Sequence, residues 1–116
     1  MRIIYKDAHV KEKFSPEYQK KWDYPNPVKI KLLSIENALQ QAPCLNDIAC
    51  VQTYRFHRLK GERKAEWSMR VGNTGYRVVL IPCDEKGKEI IKGDVLAQCK
   101  TIKVVKVTEV SKHYDD

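Results

Sequence analysis

Two spacings of apolar residues divide the chain near Gln52: helical before it, alternating after it. Arg2-Ile3-Ile4-Tyr5, β-branched with one aromatic, predicts a short opening strand. Ser15-Pro16 has the form of an N-cap followed by proline at the first helical position. The helix it starts would run to about Trp22, with Phe14, Tyr18 and Trp22 on one face, and Pro25 would stop it. Asn26-Pro27 repeats the start signal and Pro43 bounds a second helix ending near Gln41. Ile30, Leu33, Ala38 and Leu39 are expected to form its apolar face, with Val28, Leu32 and Ile35 beside it and Lys29 and Lys31 near its start. The two segments read as a helical hairpin. Cys44 to Val51 fits either a loop or a single helical turn.

After Gln52, Trp67, Met69 and Val71 alternate with Ser68 and Arg70, as on a half-buried strand. Gly72-Asn73-Thr74-Gly75 is a hairpin turn by composition. Tyr76 to Pro82 is nearly continuously apolar, which predicts a central strand. Asp84 to Lys88 is a polar turn and Gly93-Asp94 a further break. The segment from Thr101 to Val110 should be the last long strand, with Ile102, Val104, Val105, Val107 and Val110 set against Lys103, Lys106 and Thr108. Helices first and an antiparallel sheet afterwards define an α+β fold: an N-terminal strand and a helical hairpin packed on the sheet. With 116 residues, one domain spanning positions 1–116 is expected.

Charge adds a partner class to this outline. Lys and Arg number 22 against 15 acids, a net charge of +7, which points to a polyanion, nucleic acid before a membrane surface; solubility alone is the competing explanation. No apolar run is long enough to span a bilayer, the first ten residues lack a signal-peptide core, and the last five resemble no anchor. Basic residues in the helical segments are too few and dispersed for a membrane-lying pair. A cytoplasmic protein is therefore expected. Cys44, Cys50, Cys83 and Cys99 form no metal-binding spacing with the three histidines, so neither metal nor cofactor is expected, and the thiols should pack as small apolar groups.

Most of the excess charge falls between Arg55 and Arg77. Arg55, Arg58, Lys60, Arg63, Lys64, Arg70 and Arg77 face only Glu62 and Glu66 there. Convergent arginines bind phosphates through charge-assisted hydrogen bonds. The interleaved Tyr54, Phe56, Trp67 and Tyr76 suit base stacking and core packing equally. His57 lies in the same stretch and His113 near the end. RNA is cleaved without a metal when its 2′-OH attacks the adjacent phosphorus. That reaction needs a base, an acid for the departing 5′-oxygen and a cation for the charge building on phosphate. Imidazole suits the proton transfers, since its reference pKa is ~6.5, and Lys or Arg suits the charge.

The run Phe56-His57-Arg58-Leu59-Lys60-Gly61-Glu62-Arg63, then Trp67-Ser68-Met69-Arg70-Val71 and Tyr76-Arg77-Val78, resembles the HigB-type killer proteins of plasmid maintenance systems. These belong to the RelE/ParE superfamily of bacterial toxin–antitoxin toxins. Their pattern is His-Pro-Leu-Lys-Gly-Asp/Glu, Trp-Ser-Ile, then an aromatic-Arg pair, and the closing Val107-Thr108-Glu109-Val110-Ser111-Lys112-His113-Tyr114 is similar to the family's ending. The likeness is strong over residues 50–82 and loose at both ends. It implies a ribosome-dependent, metal-independent mRNA endonuclease neutralised by a helix-turn-helix antitoxin, which alone contacts operator DNA. By position, His57, His113, Arg77 and Lys60 would be catalytic. Arg55, Arg58, Arg63, Lys64, Arg70 and Tyr114 would hold RNA. Arg58 stands where the family has Pro, Ser111-Lys112 where it often has Asp-Tyr, and Cys83 to Lys100 reads as an insertion forming an extra hairpin. A ParE-like gyrase inhibitor and a degenerate member that only binds its antitoxin are the alternatives, because one fold can host several functions.

Overall fold

The computed structural model describes residues 1–15, 24–63 and 65–112. The predicted helix from Ser15 to Trp22, with Tyr18 and Trp22, falls almost wholly outside them. Strand β1 spans Arg2–Tyr5. A short helix α1, Ala8–Glu12, follows that the apolar pattern does not predict. Its signal is Asp7, whose carboxylate accepts from the Val10 amide at 2.9 Å as an N-cap. Helix α2 covers Asn26–Gln41, with Pro27 in its first turn, and ends ahead of Pro43, as predicted. Cys44 to Val51 does contain one helical turn, α3, at Asn46–Ala49.

The α2 face differs from expectation. Val28, Leu32, Ile35 and Leu39 are buried, whereas Ile30 is 68% exposed and Leu33 also faces outward. Spacings of four, three and four residues keep the buried side chains on one stripe. The helix carries more apolar residues than that stripe holds, and the sheet beneath it selects which turn inward.

The sheet has the order β1-β5-β4-β3-β2. Its strands are β2 His57–Arg58, β3 Trp67–Val71, β4 Tyr76–Cys83 and β5 Val104–Lys112. Strands β2 to β5 are antiparallel to their neighbours, while β1 joins β5 in parallel, Arg2 opposite Val104 and Tyr5 opposite Val107. Trp67, Met69, Val71, Val78, Leu80, Val105, Val107 and Val110 form one core with the buried α2 residues. Period-two alternation puts Ser68, Arg70, Arg77 and Val79 on the opposite face.

One irregularity decides what else lies on that opposite face. Leu80 pairs with Val107 but Val79 pairs with Glu109, so Thr108 is an extra residue on β5. Without this bulge, Glu109 and Ser111 would share the core face with Val107. With it, Val110 turns inward and Glu109 and Ser111 turn out, opposite Val79 and Arg77.

The predicted insertion is only partly a hairpin. Asp84 accepts from the amides of Lys86 and Lys88, and Cys83 bridges Glu89. A short helix α4, Val95–Gln98, capped by Asp94, then returns the chain to β5. Lys106 pairs with Glu89 at 2.9 Å and ties this segment to the sheet. Cys83 and Cys99 are buried, and burial pushes both thiols above their ordinary range, which keeps them unreactive. Cys50 is exposed and Cys44 half-buried, so not all four thiols serve as core packing. Among the described residues, no helix is long and apolar enough to cross a membrane.

Candidate active site

The site is built where β2 meets the sheet edge. Gln52–Tyr54 forms a 3₁₀ turn that ends in Arg55, whose φ of 43° is left-handed. For a side chain with a Cβ this conformation costs about 1–2 kcal/mol. The turn accounts for it: the Arg55 amide donates back to Gln52 at 3.1 Å, and the Arg55 carbonyl lies 2.6 Å from Nδ1 of His57. A carbonyl only accepts, so Nδ1 must carry the proton, and the neutral ring then has its lone pair on Nε2. The next residue, Arg58, pairs with Trp67 and holds its guanidinium 5.1 Å from the centroid of that ring. Phe56 stacks on the same indole at 4.8 Å and 12°. Trp67 is 4% exposed, and Tyr76 packs edge-on to Tyr24. Of the two roles left open for the aromatics, packing describes these contacts.

A cavity of about 800 Å³ opens beside β2, lined by Arg55, Phe56, His57, Arg58, Leu59, Lys60, Arg63 and Arg77. Six of the ten residues singled out in the sequence therefore converge. His57 and Arg77 are two strands apart, about 10 Å laterally. Arg70 lies opposite Arg77 in the β3–β4 register but lines a second cavity instead. Lys64, His113 and Tyr114 lie outside the described residues. No cluster of three His, Cys, Asp or Glu among the described residues could hold a metal ion.

The carboxylates organising this wall were not singled out in the sequence. Arg63 makes a bidentate contact with Glu66, at 3.1 and 3.0 Å, and reaches Glu109 at 2.9 Å. Glu109 lies 3.9 Å from Arg77, whose Nε donates to Ser111 at 3.3 Å. Of the two guanidiniums, that of Arg63 is the nearer to Glu109. Arg70 and Arg77 are like charges directly opposite one another, which is unfavourable in a sheet. Glu66 was visible only as a charge opposing the basic run. Glu109 faces Arg77 only because of the bulge at Thr108, so alternation concealed it.

The hydrogen bond from Arg63 holds the Glu66 carboxyl below its usual range, against the opposing effect of burial, and the Thr108 hydroxyl adds to it at 3.1 Å. A depressed carboxyl stabilises the fold above its unfolded pKa of ~4.3, and that contribution is lost as pH falls through the lower folded value. Both partners are partly exposed, so solvent screening limits the pair to about 1 kcal/mol or less. Glu66→Gln should therefore be less stable than the wild type near pH 6, with the difference closing toward pH 3. Urea titrations at the two pH values test this; a constant difference would show that Glu66 acts through packing instead.

No protein-family model matches the sequence, and no curated protein sequence matches it either. Among solved structures, the chain is similar in fold to a YoeB/ParE toxin from Agrobacterium tumefaciens, with a TM-score of 0.52 at 15% identity. The superposition covers 98% of this chain and 100% of the other. The expected α+β architecture is thus the fold of that toxin, shared over its whole length.

Proposed function

We propose that this protein is the toxin of a toxin–antitoxin module and acts in the cytoplasm as a metal-independent endoribonuclease on ribosome-bound mRNA. The observation that carries the reading is the single cavity lined by His57, Lys60 and Arg77 together with Arg55 and Arg58. Likeness to the HigB-type motif over residues 50–82 supports the same assignment, as does a fold shared with a toxin. The partner that silences it would be a helix-turn-helix antitoxin, through which alone it would meet operator DNA.

In this mechanism the RNA 2′-oxygen attacks the adjacent phosphorus and the bond from phosphorus to the 5′-oxygen breaks. A 2′,3′-cyclic phosphate and a 5′-hydroxyl result. His57, oriented through Nδ1, uses Nε2 for one proton transfer, accepting from the 2′-OH or delivering to the leaving oxygen. His113 is the proposed partner for the other. Arg77 and Lys60 stabilise the charge that builds on the phosphate oxygens. Arg55 and Arg58 hold flanking phosphates, and Arg63 positions Arg77 through Glu109. Lys64, Arg70 and Tyr114 are further proposed RNA contacts.

Expression of the chain without an antitoxin should stop growth, with amino-acid incorporation falling before DNA synthesis. Pulse labelling of both decides the matter. The neighbour is described as a YoeB/ParE toxin, and a ParE-like gyrase inhibitor is the competing reading. It needs no acid–base pair, and it takes over if DNA synthesis stops first.

A further inference from the structure

We infer that the second cavity, about 630 Å³ between α2, the 3₁₀ turn and the β3–β4 turn, binds phosphates of the same RNA strand that enters the first. This rests on the proposed RNA substrate and extends it to adjacent nucleotides. Lys31, Arg55 and Arg70 line the cavity, and among the described residues no carboxylate does. Their neighbours Ser34, Gln52 and Asn73 are neutral hydrogen-bonding groups suited to phosphate oxygens.

Two features point to a built site. Gly72 has φ 52°, and a Cβ there would lie 2.6 Å from Cε and 2.7 Å from Cδ of Lys31. The lysine stem crosses bare backbone, and its Nζ lies 3.1 Å from the same point, over the β3–β4 turn at the cavity wall. Arg70, moreover, stands opposite Arg77 in the sheet, and the two line different cavities. A bound polyanion would offset that repulsion. Arg55 lines both cavities, so they adjoin at the residue whose carbonyl orients His57. An extended strand with phosphates at both sites uses this continuity. The half-buried Tyr54, also in the lining, offers a ring for a base.

The test uses the full chain, labelled with ¹⁵N, and 2′-O-methyl RNA, which cannot be cleaved, in lengths of three and about nine nucleotides. The longer oligomer should shift the amides of Gly72 and Asn73 as well as those of His57 and Arg58, and the shorter one only the latter pair. Lys31→Ala, at an exposed helix position, should weaken the longer oligomer several-fold. It should also lower the slope of log affinity against log salt by about 0.7, the value for one single-strand phosphate contact. Binding of the short oligomer should not change. If the longer oligomer moves only the His57 and Arg58 signals, or Lys31→Ala leaves its affinity and slope intact, the second site is rejected while the first stands. Shifts at Gly72 and Asn73 without any at His57 would uphold the second cavity and reject the proposed active site. A polyglutamate peptide shifting Gly72 and Asn73 at lower concentration than RNA would overturn the inference in favour of an acidic protein segment.

Discussion

Trp67→Ala should lower the stability of the chain by about 3–5 kcal/mol, the usual cost of emptying a buried aromatic site. The indole is 4% exposed, stacked on Phe56 and covered by the Arg58 guanidinium. Strand β2 is only two residues long, and one of its two register pairs is Arg58 with Trp67. The truncation therefore opens a void and also loosens the strand that carries His57. Domains of this size have a total stability of about 5–15 kcal/mol, so the variant should be marginal. A fall in Tm on the order of 10–20 °C is expected by thermal unfolding. Trp67→Phe should recover part of it, since a smaller ring can still meet Phe56. A Trp67→Ala chain that melts like the wild type but no longer binds RNA would instead make the indole a platform for bases.

His57→Ala should cut the rate of cleavage of ribosome-bound mRNA by about 10²–10⁴-fold, the range for general acid–base help, with little change in Tm. The side chain is only half-buried and is oriented by the Arg55 carbonyl at Nδ1. Truncation leaves no large void. Single-turnover cleavage with ribosomes present measures the loss, and the same loss is expected for His113→Ala if the two divide the proton transfers. Arg77→Ala and Lys60→Ala should each act through charge, removing a phosphate contact worth roughly 1.5–3 kcal/mol. Near wild-type rates in both histidine variants would move the chemistry to Tyr114 and the arginines.

Much of the outline was legible because its signals are local. The ends of α2 follow from Pro27 and Pro43, and the β3–β4 hairpin from Gly72 to Gly75 between apolar strands. The capping signal of α1 was equally local, in Asp7, but five residues are too few to show a period. The basic run from Arg55 to Arg77 likewise announced a cationic wall. Five of its basic residues, with His57, do line one cavity, because a turn and a two-residue strand bring neighbours in sequence together.

What the chain alone determined, then, was the extent of α2, the β3–β4 hairpin and the charge of the cavity wall, each written in residues close together. Only the tertiary structure decided the rest, since it depends on partners distant in sequence. The sheet chose Val28, Leu32, Ile35 and Leu39 over Ile30 and Leu33, because a helix with surplus apolar residues has no preferred face until something packs against it. Parallel pairing of β1 with β5 joins residues about a hundred positions apart. The bulge at Thr108 reverses which side chains face which side, and it alone brings Glu109 and Ser111 to Arg77. Alternation reads a strand in isolation, whereas a bulge exists only relative to the strand beside it.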